Sequence, residues 1–501
     1  MLSKLGCVVK SKVNEHGQEV NKTRIILDAK RSRVTEATER KYKSELPRVT
    51  DAVHDILALM STLKPGEVIT QLVADITDAF WLIPLHPVER RFFVASLHNK
   101  FLILKRTAQG SRTAPLTFAA VMALATRLLQ SLLTRDHLEE KIWQDARIET
   151  DVDDPWTVLK GTPQQIDDFT CTLLIGWHLL GFPVAYRKAS RSVTLKWIGM
   201  NIVVGRSTVE VHIPQDKLTE IRVLALQFLS SNVISNKELR SFVGKCMSIA
   251  SVIYVWKPFV AQFYAALHSE KPASTPKGCT WTSQVKPGLH WILAFLDSHS
   301  PDCITKRTWD VNEYLSRQQR VVITWDASPW GFGAILTIDG VIVQFLYEVP
   351  CQVDIELLHL KVGDSASQQT MESLAGLIAL RQWAPFWKDR RSHFSIRSDN
   401  TGALVLLGRL KTHSPTNNII AREAALDIGV SSYGPEIAEH IPGITNKTCD
   451  FLSRIFQPGD DESWPSLLAH VPRAQLSPRT KSWWRSINSP FPASKTHSST
   501  G

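Results

Sequence analysis

Three carboxylates in the first part of the sequence have the spacing of a metal-dependent catalytic site. Asp75 ends the apolar stretch Gln71–Asp75, which has the composition of a buried strand. Asp153 and Asp154 lie at a predicted turn between two short β-runs within residues 147–159. Pairing of these strands would bring Asp75 and Asp153 together. Clustered carboxylates repel one another and favour Mg²⁺, and two such ions about 4 Å apart can activate an attacking oxygen and stabilise a leaving one, as nucleotidyl transfer requires.

A second set of acidic residues occupies the later part of the sequence. Asp326 and Asp399 each end a predicted strand, and Glu372 lies in the first turn of a predicted helix between them. Asp450 lies in a later helical stretch, ten residues after His440. Any one of these acids alone is more often a solvated surface residue, so the prediction depends on the order and spacing of the whole set.

The first set of acids resembles the palm motifs of reverse transcriptases. In that family an Asp-x-x-x-Ala-Phe/Tyr motif is followed by an Asp-Asp pair, with a Gln-Gly-x-x-x-x-Pro segment between them. The resemblance implies that Asp75 and Asp153 bind metal and that Asp154 supports them. It places Phe80 where a ribose 2′-OH would otherwise lie. The segment from residue 109 to residue 115 supplies two more candidates, Gln109 and Gly110, to line the nucleotide and template site.

Basic residues complete this resemblance. A β-hairpin is predicted over residues 4–33, and the family's fingers imply that Arg24 and either Lys10 or Lys12 contact the incoming triphosphate, since guanidinium and ammonium groups suit phosphate oxygens. Lys188 matches a lysine that approaches the triphosphate as a candidate general acid. The alternative for each is an ordinary exposed charge. In a later turn, Trp197-Ile-Gly199 resembles the Phe-Leu-Gly turn that grips the primer.

One position departs from the reverse transcriptase pattern. The residue two before the Asp pair, usually Tyr or Phe, is Asp151 in this chain. A third carboxylate beside the pair would weaken substrate binding or mark a decaying copy. The predicted hairpin also begins almost at Met1, which favours an N-terminally truncated reading frame.

The second set of acids resembles ribonuclease H. The resemblance implies that Asp326, Glu372, Asp399 and Asp450 hold two Mg²⁺ that activate water against an RNA phosphodiester, and that His440 helps to release product. An A-form hybrid displays 2′-hydroxyls in its shallow minor groove, which would allow such a domain to select RNA. Each of the two sites is therefore expected to hold two Mg²⁺ or Mn²⁺.

The elements predicted around these residues define the fold class. We expect an α+β right-hand polymerase with fingers, palm and helical thumb, followed by an α/β ribonuclease H-like domain. The predicted domains are fingers and palm over 1–210, thumb and connection over 211–310, and a ribonuclease H-like domain over 311–456. Residues 457–501, rich in Pro and Ser, are predicted to be a disordered tail. Part of the thumb, from Lys237 to Tyr264, resembles DIRS-like and gypsy-type retroelement polymerases.

Composition limits the remaining possibilities. The 501 residues are 44% hydrophobic, enough for packed cores, and the net charge of +10 favours polyanionic partners or a solvated basic surface. Seven scattered cysteines include no Cys-x-x-Cys pair, so neither a disulfide framework nor a zinc knuckle is indicated. We find no signal peptide and no stretch approaching the length of a membrane span. A cytoplasmic or nuclear location without membrane partners is expected.

These features together predict a retrotransposon RNA-directed DNA polymerase with ribonuclease H activity. Its expected partners are an RNA template, a DNA primer, the RNA–DNA hybrid and dNTPs, with polyprotein or particle proteins as further candidates. Two alternatives remain open. One is a catalytically inactive remnant that binds nucleic acid or acts as a scaffold, and the other is an enzyme with ribonuclease H activity alone.

Overall fold

The chain divides into two compact units, Met1–Val209 and Glu210–Gly501. The computed structural model describes residues 2–13, 19–39, 45–136, 142–270, 272, 274–315, 319–388, 393–429, 437–459 and 463–491. The predicted first domain, residues 1–210, ends next to the boundary between the units. The predicted thumb and ribonuclease H-like regions both lie in the second unit, and the two units are described separately below.

Strands and helices alternate in both units, which gives a mixed α/β content. In chain order the strands are β1 Lys4–Val13, β2 Glu19–Asp28, β3 Val68–Val73, β4 Val94–Leu97, β5 Lys100–Ile103, β6 Thr134–Asp136, β7 Ile142–Gln144, β8 Ala146–Asp151, β9 Asp154–Gly161, β10 Ser190–Ser192, β11 Thr194–Trp197, β12 Met200–Val204, β13 Thr208–His212, β14 Val233–Ser235, β15 Cys279–Trp281, β16 Lys306–Asp310, β17 Arg320–Ala327, β18 Phe332–Ile338, β19 Val341–Glu348, β20 His393–Ser398 and β21 Ile437–His440.

The helices are interspersed with these strands along the chain. They are α1 Val34–Ala37, α2 Val49–Met60, α3 Ala79–Leu82, α4 Ala114–Leu132, α5 Pro163–Leu179, α6 Gln215–Leu229, α7 Asn236–Ala250, α8 Lys257–His268, α9 Lys286–Leu296, α10 Val311–Leu315, α11 Gln352–Leu358, α12 Gln368–Gln382, α13 Ala384–Trp387, α14 Thr401–Arg409, α15 Pro415–Gly429 and α16 Lys447–Arg454.

The first unit is built around an antiparallel sheet with the strand order β10-β3-β9-β8. Strands β8 and β9 form a hairpin, and β3 pairs with β9 so that Val73 lies opposite Trp156. Apolar side chains from this sheet, α4 and α5 form one buried core, with Phe118 and Trp177 among them. The sheet therefore carries the end of β3 to the turn between β8 and β9.

The predicted N-terminal hairpin is present as β1 and β2. The strands pair antiparallel, with Val8 opposite Arg24 and Lys12 opposite Val20. The side chains of Lys10 and Lys12 lie outside the described residues, as does the turn over 14–18. The expected triphosphate contact of either lysine therefore stays a prediction.

Helix α4 contradicts the expectation that no stretch approaches the length of a membrane span. It has 19 residues with a mean hydropathy of 1.3, which is long and apolar enough to cross a membrane by length and composition. Only 28% of that window is buried, and one such helix is weak support for a span, because core helices of soluble proteins share these properties. Phe118, Met122 and Leu129 lie in the core, while Leu124 and Leu132 are exposed.

The second unit begins with the helices that the sequence predicts after residue 214. Ser235 caps α7, because its hydroxyl accepts from the Glu238 backbone N–H, which pairs one of the free amides at the start of the helix. The same hydroxyl donates to the Glu238 carboxylate. Aromatic side chains from α6, α7 and α8 then meet edge to face, with Phe242 contacting both Phe228 and Phe263. These contacts supply the core of the helical part of the unit.

The rest of the second unit contains a five-stranded mixed sheet with the order β19-β18-β17-β20-β21. Strands β17, β18 and β19 are antiparallel, whereas β20 and β21 run parallel to β17. Because β17 and β20 are parallel neighbours, residues at or just after their C-terminal ends meet at one edge of the sheet. Asp326 and Asp399 occupy these positions.

The predicted disordered tail over 457–501 is wrong for residues 463–491. Trp484 is fully buried, and its indole N–H donates to Asp354 Oδ1 at 3.2 Å. Arg479 Nε lies 2.7 Å from Asp354 Oδ2, and the Ala474 backbone N–H donates to the carbonyl of Phe345 in β19. The prediction relied on the high average content of Pro and Ser, and it missed the few aromatic and apolar residues that pack against the rest of the unit. Residues 460–462 and 492–501 lie outside the described part of the chain.

We predict that Arg479→Met destabilises the second unit by about 3–5 kcal/mol, because it leaves the fully buried carboxylate of Asp354 without its cation. The measurement is urea unfolding of the full chain, monitored by tryptophan fluorescence. Arg397→Met is the matched control, since the Arg397–Glu439 pair is partly exposed and should be worth about 0–1 kcal/mol. Equal losses in the two variants would contradict a structural role for residues 463–491.

Candidate functional site

The main chain brings Asp75 to the turn that carries Asp153. The Ala74 N–H donates to the Pro155 carbonyl at 3.0 Å, and the Ile76 N–H donates to the Asp153 carbonyl at 2.9 Å. Val152 adopts a left-handed conformation with φ 57°, which lets the chain reverse between β8 and β9. The sheet itself therefore fixes the two acids at one edge.

A cavity of about 720 Å³ opens at this edge. Residues from distant parts of the sequence line it, including most of the residues predicted for nucleotide and template binding. The predicted residues among its lining are Arg24, Asp75, Phe80, Gln109, Gly110, Asp153 and Lys188. Asp154 is exposed and does not line this cavity.

Two cations face the carboxylates in this cavity. Lys188 Nζ lies 2.5 Å from Asp75 Oδ2 in a partly exposed ion pair. Burial raises the pKa of Asp153, and the positive charges of Arg24 and Lys188 offset part of that rise. A divalent cation that binds Asp75 through Oδ2 must therefore displace the ammonium of Lys188 from that oxygen.

Burial and mutual repulsion raise the pKa values of the acids on the β8–β9 turn. The pKa of Asp154 rises to about 6, first because burial penalises the charged form and then because Asp153 and Asp75 lie nearby. The pKa of Asp153 is raised chiefly by burial, with a contribution from Asp75. Burial and Asp153 also raise the pKa of Asp151. Such a set of carboxylates suits a divalent cation, which would favour their ionised forms.

The segment of Gln109 and Gly110 is held against the N-terminal hairpin. The Leu27 N–H donates to the Gln109 carbonyl at 2.8 Å. Gly110 has φ 98°, and a Cβ at this position would lie 2.3 Å from the Leu27 carbonyl oxygen, so only glycine fits. Phe80 packs edge to face on Phe118, with ring centroids 5.8 Å apart.

A buried network that the sequence did not predict supports this turn. The fully buried Gln71 amide donates to the carbonyls of Val193 and Ile202 and accepts from the Trp156 indole. Trp156 stacks on Trp197 with a centroid distance of 5.4 Å, and the Trp197 indole donates to the Asp154 carbonyl at 3.1 Å. The predicted primer-gripping turn is thereby tied to the Asp pair. The one signal in the sequence is a polar Gln inside an otherwise apolar strand.

Three carboxylates of the second set converge at the edge of the five-stranded sheet. One oxygen each of Asp326, Glu372 and Asp399 lies within 4.8 Å of the other two, so the group could hold a metal ion. Asp326 and Glu372 are buried, and Asp399 is partly exposed. Within the described ranges no other group of three such ligands meets this distance. The acids Asp75, Asp153 and Asp154 therefore do not meet it.

The remaining two predicted residues lie beside this triad. Asp450 is near enough to raise the pKa of Asp326, but it is not part of the group within 4.8 Å, and its carboxylate pairs with Arg454 Nε at 2.8 Å. His440 is exposed, and its Nε2 lies 3.0 Å from the Asp399 carbonyl oxygen. The parallel pairing of Ser398 with His440 accounts for this position.

The triad has the electrostatic character of a cation site. Burial, then the charges of Asp326 and Asp399, raise the pKa of Glu372 to about 9. Burial also raises the pKa of Asp326 to about 7, with repulsion from Asp399 and Asp450. Glu372 Oε2 is buried with no hydrogen-bond partner. An orphaned carboxylate oxygen inside an acidic cluster fits a divalent cation, since buried polar groups are otherwise almost always paired.

Comparison with known sequences gives no match: no protein-family model matches the chain, and no curated protein matches it. Several solved structures resemble it. The foamy viral protease-reverse transcriptase dRH in complex with double-stranded DNA is 14% identical over 88% of this chain and 65% of that chain, with a TM-score of 0.43.

The same foamy viral protein in complex with an RNA/DNA hybrid is 14% identical over 93% of this chain and 53% of that chain, with a TM-score of 0.41. The foamy viral protease-reverse transcriptase in complex with double-stranded DNA is 14% identical over 87% of this chain and 77% of that chain, with a TM-score of 0.41. The chain thus spans 65% and 53% of the length of the first two. The function proposed below rests on the geometry of the two sites.

The raised pKa values predict that stability falls as the pH rises. The folded state keeps protons on Asp326 and Glu372 at pH values where the unfolded chain, with pKa values of 3.8 and 4.5, has lost them. The folded state therefore binds more protons, and its stability declines from about pH 4 until the folded pKa values of about 7 and about 9 are passed.

We expect the melting temperature in EDTA to be lower at pH 8.5 than at pH 6, and Mg²⁺ to raise it more at pH 8.5, where fewer protons compete with the cation. Differential scanning fluorimetry measures both effects. The double variant Asp326→Asn, Glu372→Gln should lose most of the Mg²⁺ effect in the second unit. A Mg²⁺ shift that is equal at both pH values in the parent would contradict the prediction.

Proposed function

We propose that this chain is an RNA-directed DNA polymerase with ribonuclease H activity from a retrotransposon. The observation that carries the proposal is the shared cavity of Arg24, Asp75, Gln109, Asp153 and Lys188, which come from distant parts of the sequence. Three carboxylates (Asp75, Asp78 and Asp153), two cations and a glycine-containing loop line this cavity, and such a set suits a metal-bound nucleoside triphosphate. RNA template, DNA primer and dNTPs are the proposed partners, and the proposed location is cytoplasmic or nuclear.

In the polymerase reaction, Asp75 and Asp153 would hold two Mg²⁺. These ions would supply activation of the primer 3′-oxygen and neutralisation of the leaving pyrophosphate. Arg24 would bind phosphate oxygens with its planar fork, and Lys188 would move from Asp75 to the triphosphate. Phe80 would pack against the sugar at the position of the 2′-OH.

In the hydrolytic reaction, Asp326, Glu372 and Asp399 would hold Mg²⁺ that activates water against the RNA strand of a hybrid. Asp450 would join them once its carboxylate leaves Arg454. His440, beside the main chain of Asp399, would assist release of the cleaved strand. The 4.8 Å grouping of the triad and its orphaned oxygen support this second activity.

An inactive remnant that binds nucleic acid remains the second candidate. Two observations favour it, namely the Lys188–Asp75 ion pair, which occupies a predicted metal ligand, and Asp151, whose charge adds to that of Asp153. Both concern the first site. An enzyme with ribonuclease H activity alone is consistent with the same two observations.

Two single substitutions test the proposal. Asp153→Asn should reduce extension of a primed RNA template by about 100-fold or more, since even outer partners of metal ligands are worth about 10- to 100-fold. It should leave cleavage of an RNA–DNA hybrid intact. Asp399→Asn should have the opposite effects. Radiolabelled primer extension and hybrid cleavage, both with Mg²⁺, measure the two activities.

Matched controls are Asp168→Asn on α5 and Asp339→Asn at the β18–β19 turn, which replace acids outside both sites. Hybrid binding without extension by the parent would favour the remnant. Cleavage without extension would favour the single-activity enzyme. Loss of both activities in either variant, with the fold intact, would contradict two separate sites.

A further inference from the structure

The two buried acids of the triad each have one oxygen bound by a neighbouring polar side chain. Ser453 Oγ donates to Asp326 Oδ2 at 2.8 Å, and Gln368 Nε2 donates to Glu372 Oε1 at 3.3 Å. Glu372 Oε2 has no partner and is buried. Glu372 thus has one bound oxygen and one buried oxygen without a partner, and Ser453 binds one of the two oxygens of Asp326.

Ser453 is held firmly enough to orient its partner. The residue is fully buried, and its carbonyl accepts from Ser328 Oγ at 2.7 Å. Helix α16 approaches β18 closely, because a Cβ at Gly333 would lie 2.2 Å from Leu452 Cβ. The glycine therefore allows the helix to lie directly on the sheet, beside the strand that carries Asp326.

The Ser453 hydroxyl has two acceptors within reach and only one proton. Asp450 O lies 2.8 Å away, one helical turn earlier, and Asp326 Oδ2 lies at the same distance. A carboxylate is the stronger acceptor, since hydrogen bonds to charged groups are about twice as strong as neutral ones. The proton is therefore assigned to Asp326.

Gln368 links Glu372 to the strand of Asp326. Its Nε2 also donates to the carbonyl of Ala327, so both of its amide protons face acceptors. This assignment of the amide follows from the partners, because an oxygen at the Nε2 position would face two other oxygens. One turn of α12 separates Gln368 from Glu372, which keeps the contact local.

We propose that Ser453 and Gln368 are positioning residues for the cation site, each fixing one oxygen of a buried acid so that the other oxygen faces the metal. The inference rests on the proposed hydrolytic function. A carboxylate that rotates freely must lose that freedom when it binds an ion, whereas a carboxylate held at one oxygen has already lost it. Neither residue contacts substrate in this role.

The test uses the full chain with Asp75→Asn and Asp153→Asn, so that Mg²⁺ binding reports on the second unit. Ser453→Ala and Gln368→Ala are compared with Ser373→Ala by titration calorimetry with Mg²⁺. Ser373 is a matched control, because it is fully buried in α12 and its hydroxyl donates to the Gln369 carbonyl rather than to an acid.

We expect Ser453→Ala and Gln368→Ala to weaken Mg²⁺ binding about 10- to 100-fold, and Ser373→Ala to leave it unchanged. In hybrid cleavage, the half-saturating Mg²⁺ concentration should rise by a similar factor while the rate at saturating Mg²⁺ is retained. If the two residues were merely structural, their variants would have a lower melting temperature in EDTA but the same half-saturating Mg²⁺ concentration as the parent.

The outcomes distinguish failure of the positioning role from failure of the proposed function. Parent-like Mg²⁺ affinity in Ser453→Ala and Gln368→Ala, with binding intact in the parent, would overturn the positioning role and leave the proposed function standing. Absence of Mg²⁺ binding and of hybrid cleavage in the Asp75→Asn, Asp153→Asn background would overturn both. Equal weakening in all three variants would overturn the positioning role, because the Ser373 hydroxyl donates to a main-chain carbonyl and not to a carboxylate.

Discussion

The structure depends on holding carboxylates together at strand ends against their own repulsion. Each acid loses hydration as it enters the protein, and each additional negative charge makes ionisation of its neighbours more costly. Only a rigid framework can impose this arrangement, and the two sheets supply it through main-chain hydrogen bonds. Burial and the charges of Asp326 and Asp399 raise the pKa of Glu372 to about 9. The ionised cluster is therefore unfavourable, and a bound cation would relieve the repulsion.

The two units meet this constraint with different strand geometry. In the first, a tight antiparallel turn carries Asp153 beside the end of a third strand, and the cations Arg24 and Lys188 lie in the same cavity. In the second, parallel strands bring Asp326 and Asp399 to one edge while a helix adds Glu372. There the described contacts of the triad come from neutral donors, Ser453 and Gln368. A divalent cation would therefore compete with Lys188 at the first site and with bound protons at the second.

Local signals in the sequence predicted the elements and the acids that end them. Asp326 and Asp399 followed apolar runs, and the Asp339–Gly340 turn fixed the hairpin of β18 and β19. The prediction of a disordered tail failed because it relied on average composition, which does not reveal long-range contacts of single residues. Trp484 is one aromatic residue in a Pro- and Ser-rich stretch, yet it fills a buried position against Asp354. The pairing of Ser453 with Asp326 also required knowledge of which face of α16 meets the sheet.

The same network that stabilises the first site also limits how far Asp151 can disturb it. Asp151 and Asp154 pair across the hairpin, so the extra carboxylate lies on the turn that Trp197 holds through the Asp154 carbonyl. The Trp156 indole donates to Gln71, and Trp156 stacks on Trp197. These contacts hold the turn in place against the repulsion between its carboxylates. Burial and the charge of Asp153 raise the pKa of Asp151, so the extra carboxylate is itself disfavoured in its ionised form on this turn. A divalent cation at Asp75 Oδ2 would compete with Lys188 for that oxygen.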